Sequence, residues 1–125
     1  MCKKISIGLL LLLLLVGCST KAAITPEMEV EGVLQSYLKA LEDHDTTALV
    51  DLSDDLRFPD KKEQLENYLD IDSTVSETRI IELSTISPTE FEGTVSIVDD
   101  DGQVEVTFPI KQQKNKWKVI VGKDF

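Results

Sequence analysis

The spacing of apolar residues along this chain changes twice. It is unbroken from Ile5 to Val16, recurs every three or four residues from Val30 to Leu69, and approaches alternation after Thr74. The middle spacing is that of amphipathic helices, and the last is that of half-buried strands. Thr25-Pro26 opens the first helix, with Thr25 as N-cap and Pro26 at the first helical position. Val30, Val33, Leu34, Tyr37, Leu38 and Leu41 then form one buried stripe, while Glu31, Gln35, Lys39 and Glu42 fall on the wet side. This helix is expected to end between Asp43 and Asp45. A shorter second helix is expected from about Thr46 to Leu56, burying Ala48, Leu49, Leu52 and Leu56, before Pro59 breaks the pattern. Asp60 with Glu63 three residues on has the form of a capping box and starts a third helix, which buries Leu65, Tyr68 and Leu69.

A first strand, about Thr78 to Ile86, is irregular because Ile80-Ile81 interrupts the alternation. After Pro88 the pattern clears. Phe91, Gly93, Val95 and Ile97 share one face, as do Val104, Val106, Phe108 and Ile110, and then Trp117, Val119 and Val121. A hairpin loop at Asp101-Gly102 sets Ile97 opposite Val106 and Val95 opposite Phe108. A second loop at Lys114-Asn115 sets Ile110 opposite Val119 and Phe108 opposite Val121. Apolar meets apolar across both turns, as an antiparallel meander with one buried face requires. Pro109 has no N–H to give the middle strand, so a bulge or an end of pairing is expected there. Helices followed by a one-sided sheet define an α+β domain. The other sheet face carries Glu92, Thr94, Ser96, Glu105, Thr107, Lys111 and Lys118 and is expected to meet water.

The unbroken run changes where such a domain would sit. Lys3-Lys4, twelve apolar or small residues and a small-residue end are the parts of an export signal. The run falls short of the roughly 20 apolar residues that span a bilayer. Leu15-Val16-Gly17-Cys18 resembles the lipobox of bacterial lipoproteins. That resemblance implies cleavage between Gly17 and Cys18 and a diacylglyceryl group on the Cys18 thiol, which supplies the two acyl chains a stable anchor needs. The expected organisation is a signal peptide over 1–17, a lipidated tether over 18–24 and one α+β domain over 25–125. The domain would then sit at the extracytoplasmic face of a cell membrane. Removing 17 residues from 125 leaves 108, and losing Lys3 and Lys4 leaves 11 basic against 23 acidic residues, a formal charge of −12. That sign argues against nucleic acid, which is bound by neutralising phosphates, and against lying flat on an anionic membrane. Cys2 leaves with the signal and Cys18 carries lipid, so the fold must stand on packing without an internal disulfide.

Two segments carry a second resemblance. Tyr37-Leu38-Lys39-Ala40-Leu41, followed by Asp45 and Ala48-Leu49, is similar to the first-helix, turn and second-helix segment of the nuclear transport factor 2-like superfamily, and Lys116-Trp117-Lys118-Val119 is similar to its last strand. The small bacterial lipoproteins of that superfamily are the narrower likeness. The resemblance implies a cone: N-terminal helices packed on one face of a curved antiparallel sheet meander, with a pocket possible at the open end. It does not imply one activity, because the superfamily includes dehydratases, isomerases and members without catalysis.

Candidate chemistry is sparse. No residue of the expected inward strand set from Phe91 to Val121 ionises; Glu77 and Arg79 would point inward only if the first strand used its odd-numbered face. Tyr37 and Tyr68 bring hydroxyls from the helices, and together with Phe91, Val95, Phe108 and Trp117 they are the candidate pocket lining. Trp117 suits the core as well as a pocket. His44, the one histidine, lies in the charged turn Glu42-Asp43-His44-Asp45 and reads as a solvated surface residue. Asp99-Asp100-Asp101-Gly102 lacks the ligand spacing and closing Glu of a calcium loop and reads as a hairpin turn. Asp51, Asp54 and Asp55 read as a solvated helix end. No metal or cofactor is expected beyond the lipid on Cys18. The expected function is a non-enzymatic, membrane-anchored module that binds an envelope protein or a small apolar ligand; the alternative is a small-molecule lyase or isomerase using the cone pocket. A third possibility is assembly through an exposed patch such as Val98 and Ile120, but two residues do not make a patch.

Overall fold

The structure is a computed structural model that describes residues 23–71 and 74–122. The signal run, Gly17 and Cys18 lie outside those residues, as does most of the tether. Four helix and strand segments precede the hairpins. Helix α1 spans Pro26–Asp43, α2 Thr46–Leu52, strand β1 Ser53–Asp55 and α3 Lys61–Leu69. Strands β2 (Val75–Ser87), β3 (Glu90–Asp99), β4 (Gly102–Gln113) and β5 (Lys116–Val121) follow. Among the described residues no helix is long and apolar enough to cross a membrane.

The helix ends follow from local chemistry. The Thr25 hydroxyl accepts a hydrogen bond from the Met28 N–H at 3.2 Å, with Pro26 behind it. His44 takes a left-handed conformation (φ 55°) that closes α1 onto the carbonyls of Ala40 and Leu41. Asp45 then caps α2 through the Ala48 N–H at 3.1 Å, and Asp60 caps α3 through the Glu63 N–H at 2.8 Å.

The sheet order is β1-β5-β4-β3-β2, and it is mixed. The helix expected as far as Leu56 stops at Leu52, and Ser53–Asp55 pairs parallel to β5, with Asp54 beside Ile120 and Asp55 beside Val121. Ser-Asp-Asp holds a helix poorly because these side chains compete for backbone hydrogen bonds. The strand places Asp55 inside, not on a solvated helix end. It also covers Ile120, which is only 4% exposed and cannot contribute to a surface patch.

The β3–β4 hairpin turns at Asp100-Asp101, one residue earlier than expected. Val95 therefore faces Val106 and Ile97 faces Val104, a shift of two residues along the partner strand. An even shift leaves every side chain on its expected face. In the β4–β5 ladder Ile110 faces Val119, and the ladder stops there, so Phe108 is not paired with Val121. The stop falls beside Pro109, which cannot donate to it. Register shifts in β2 fall between Val75 and Glu77, between Ile80 and Glu82, and between Thr85 and Ser87. The middle one accounts for the Ile80-Ile81 irregularity: the bulged Ile81 is exposed, and the flanking residues keep their faces.

Helix α1 crosses the inner sheet face. Val30, Leu34, Tyr37 and Leu38 pack with Phe91, Val95, Ile97, Ile110, Trp117 and Val119. Each such side chain contributes about 1.5–3 kcal/mol by leaving water. Gly93 allows the close approach, since a Cβ there would stand 2.6 Å from the Leu34 Cδ2. Some expected core positions lie outside it. Leu56, Leu69 and Val104 are exposed, whereas Val50 and Gln64 are buried. On the outer face Thr94 and Thr107 share a hydrogen bond at 2.9 Å. Ser96 on that face is buried and accepts a bond from Gln103 at 2.8 Å instead of meeting water.

Candidate functional site

The three helices and the ends of the sheet leave a hollow of about 420 Å³ at the end of α1. Its apolar walls are Leu41, Leu49, Leu69, Ile71, Val75 and Val121. Its polar groups are Tyr37, His44, Thr46, Arg57 and Tyr68. A cavity of this size and mixed lining is within the range that holds small ligands.

Behind the lining, Asp55 holds two of its members, Arg57 and Tyr68. The parallel pairing of β1 to β5 turns its carboxylate inward, where the side chain has no exposure. Its Oδ1 accepts from the Arg57 backbone N–H at 3.1 Å and from Nε at 2.9 Å. Its Oδ2 accepts from Arg57 Nη2 at 2.6 Å and from the Tyr68 hydroxyl at 2.6 Å. Burial pushes this carboxyl up, but the hydrogen bonds from Arg57 and Tyr68 outweigh it and hold it down at about 2. Burial and the bond to Asp55 push the Tyr68 phenol up to about 12. Burial, with Tyr68 and Asp55 nearby, raises Tyr37 further still. Both phenols are therefore neutral donors at pH 7. Gly122 (φ +79°) closes the site from β5, where a Cβ would come within 2.8 Å of Asp55 Oδ1. Around the back, Gln64 donates to the Ser53 hydroxyl at 2.9 Å and Lys61 bonds the carbonyls of Val50 and Ser53, which docks α3 on β1.

The arrangement suits holding better than proton transfer. A carboxylate with four donors already on it has little lone-pair capacity left for a substrate proton, and a carboxyl titrating near 2 is a weak base. Among the described residues no group of three or more His, Cys, Asp or Glu side chains converges as a metal site would require.

Of the six candidate lining residues, Tyr37 and Tyr68 border this hollow. The other four lie elsewhere. Phe91 and Trp117 pack edge to face at 5.5 Å, and the Trp117 indole donates to Glu29 at 3.0 Å. Val95 is fully buried in the core, and Phe108 packs against Tyr37 with ring centroids 5.6 Å apart. Glu77 and Arg79 are on the outer face, where they line a separate hollow of about 450 Å³ with Glu42, Ser96 and Gln103. His44 is exposed, as read from its turn, yet it borders the cavity mouth. Asp55 and Arg57 escaped the sequence reading. The available signal was the failure of the apolar stripe after Leu52, which marks Ser53-Asp54-Asp55 as something other than helix.

The architecture defines a class: the fold is nuclear transport factor 2-like. A ketosteroid isomerase-like protein from Erwinia carotovora atroseptica superposes with a TM-score of 0.55 at 16% identity, over 74% of this chain and 89% of that one. A computationally designed 17-OHP binder gives 0.54 at 16% identity, over 78% and 94%. A nuclear transport factor 2-like protein of unknown function from Cytophaga hutchinsonii gives 0.53 at 9% identity, over 84% and 95%. At such identities the likeness concerns the fold alone. No family model matches the sequence, and no curated protein matches it significantly.

Proposed function

We propose that this chain is an extracytoplasmic lipoprotein, anchored through Cys18, whose cone domain binds a small, largely apolar ligand without chemically changing it. The observation that carries the binding reading is the hollow at the end of α1, with six aliphatic walls and a few convergent hydroxyl and guanidinium groups. The saturated Asp55 favours binding over turnover. Neighbours of the same fold include an isomerase-like protein and a designed binder, so fold alone favours neither role.

A lyase or isomerase is the second reading, supported by the hydrogen bond from Tyr68 to Asp55 beside a cavity that a second phenol, Tyr37, also lines. A direct comparison separates the two. Nile red, a neutral apolar dye, is expected to brighten on mixing with the protein, and Leu49→Arg, which puts a charge in the wall, is expected to weaken that binding at least about tenfold. Unchanged dye binding in the variant would remove the cavity reading. Turnover of a β,γ-unsaturated ketone that disappears in Asp55→Asn would establish the enzyme instead.

A further inference from the structure

The cavity differs in charge from the chain that forms it. The sequence has 23 acidic and 13 basic residues, yet no acid is among the described residues lining the cavity. Arg57 and the single histidine, His44, are both among them. We infer that the ligand is an amphipathic anion, an apolar body with one carboxylate, seated with the carboxylate against Arg57 and the His44 edge. This rests on the cavity being a ligand site and adds the class of head group.

Three features fit such a ligand, two at its head group and one at its apolar body. Arg57 is held rather than loose: its backbone N–H, Nε and Nη2 are all bonded to Asp55, and its guanidinium lies 5.4 Å from the Phe58 ring centroid. Among the described residues nothing accepts from its Nη1, and the side chain is 56% exposed. A guanidinium fixed along one edge presents its remaining donors at little entropic cost, and carboxylates suit that geometry. Tyr37 is only 4% exposed, borders the cavity, and has no hydrogen-bond partner for its hydroxyl among the described residues. No side-chain oxygen among the described residues is both buried and unpartnered, so this hydroxyl opens onto the cavity, where it can donate. The aliphatic walls supply the third feature, a place for the apolar body. Because Asp55 cancels the formal charge of Arg57, discrimination comes from short-range donors and from His44 rather than from a broad positive field. The preference for an anion is therefore moderate, about tenfold over a neutral twin, or about 1.4 kcal/mol.

The test uses the full, untagged chain carrying Cys18→Ser, so that no attached acyl group competes. Decanoate, decan-1-ol and decyltrimethylammonium are titrated by calorimetry, and the lone imidazole resonance of His44 reports whether each probe reaches the cavity. Decanoate is expected to bind about tenfold tighter than decan-1-ol, to shift the His44 signal, and to exceed the cation by more. Arg57→Gln is expected to cut the decanoate preference below about threefold, with Arg57→Lys retaining part of it. Should Arg57→Gln fail to fold, His44→Asn serves, because Asn tolerates the left-handed conformation at φ 55°. It is expected to lower the preference about twofold to threefold. Equal affinity for decanoate and decan-1-ol, with His44 shifting for both, would overturn the anion and leave the ligand site standing. An unchanged preference in every folded variant would overturn it too. No His44 shift with any probe would remove both readings.

Discussion

A carboxylate buried without partners holds its proton above the ordinary range. Asp55 does the opposite, because Arg57 and Tyr68 occupy both of its oxygens. The folded value of about 2 lies below the ordinary 3.8, so the stability that Asp55 contributes is complete above roughly pH 4 and is lost as pH falls from 3.8 toward 2. The contribution is about 2 kcal/mol. Urea denaturation at about pH 5 and about pH 2.5 checks it: the wild type is expected to lose about 1.5 kcal/mol more across that interval than Asp55→Asn does. Equal losses would mean that the carboxylate is not held as described. The residue scale is also where sequence reading was weakest. Asp55 looks like one more acid in an acidic chain until its partners, Arg57 and Tyr68, are placed beside it.

Elements fail or succeed by how their faces meet, and α1 meets β3 at Gly93. A Cβ there would press on Leu34 Cδ2 at 2.6 Å and on Ile110 Cδ1 at 3.3 Å, all within a fully buried layer. Gly93→Ala is expected to cost about 1–3 kcal/mol by overpacking. Leu34→Ala alone is expected to cost about 2–5 kcal/mol by leaving a cavity. The double variant should cost less than the two costs added together, since the new methyl enters the vacated space. Chemical denaturation of the four proteins measures the coupling, and simple additivity would contradict the contact. The first and third helices, their caps Thr25 and Asp60, and the inner face of β3 to β5 were legible because spacing and capping are local. The β3–β4 register was legible only modulo two residues. Alternation fixes the face, but the turn chooses the step: Asp99 accepts from the Asp101 N–H at 2.8 Å and draws the loop onto Asp100-Asp101. β1 was not legible, since three residues carry no periodicity and their partner lies more than 60 residues away.

For the whole molecule, anchoring is expected to depend on Cys18 and not on charge. With residues 1–17 removed as proposed, the formal charge would be −12, which an anionic bilayer repels, whereas acyl chains hold by burying methylenes at about 0.8 kcal/mol each. In cells fed labelled palmitate, the wild type is expected to be labelled, to fractionate with membranes and to stay there in 1 M salt (about a 3 Å screening length). Cys18→Ala should lose label and leave the membrane fraction; retained label would end the lipoprotein reading. The sequence by itself determined that three helices precede four antiparallel strands, the buried stripe of α1, the inner face of β3 to β5, and the caps Thr25 and Asp60, because these depend on neighbours within a few positions. Tertiary structure alone decided that Ser53–Asp55 is a parallel strand, that Asp55 is enclosed by Arg57 and Tyr68, and that His44, Tyr37 and Val121 border one hollow. A cavity is made by residues distant in sequence, and no local pattern records which of them will face one another.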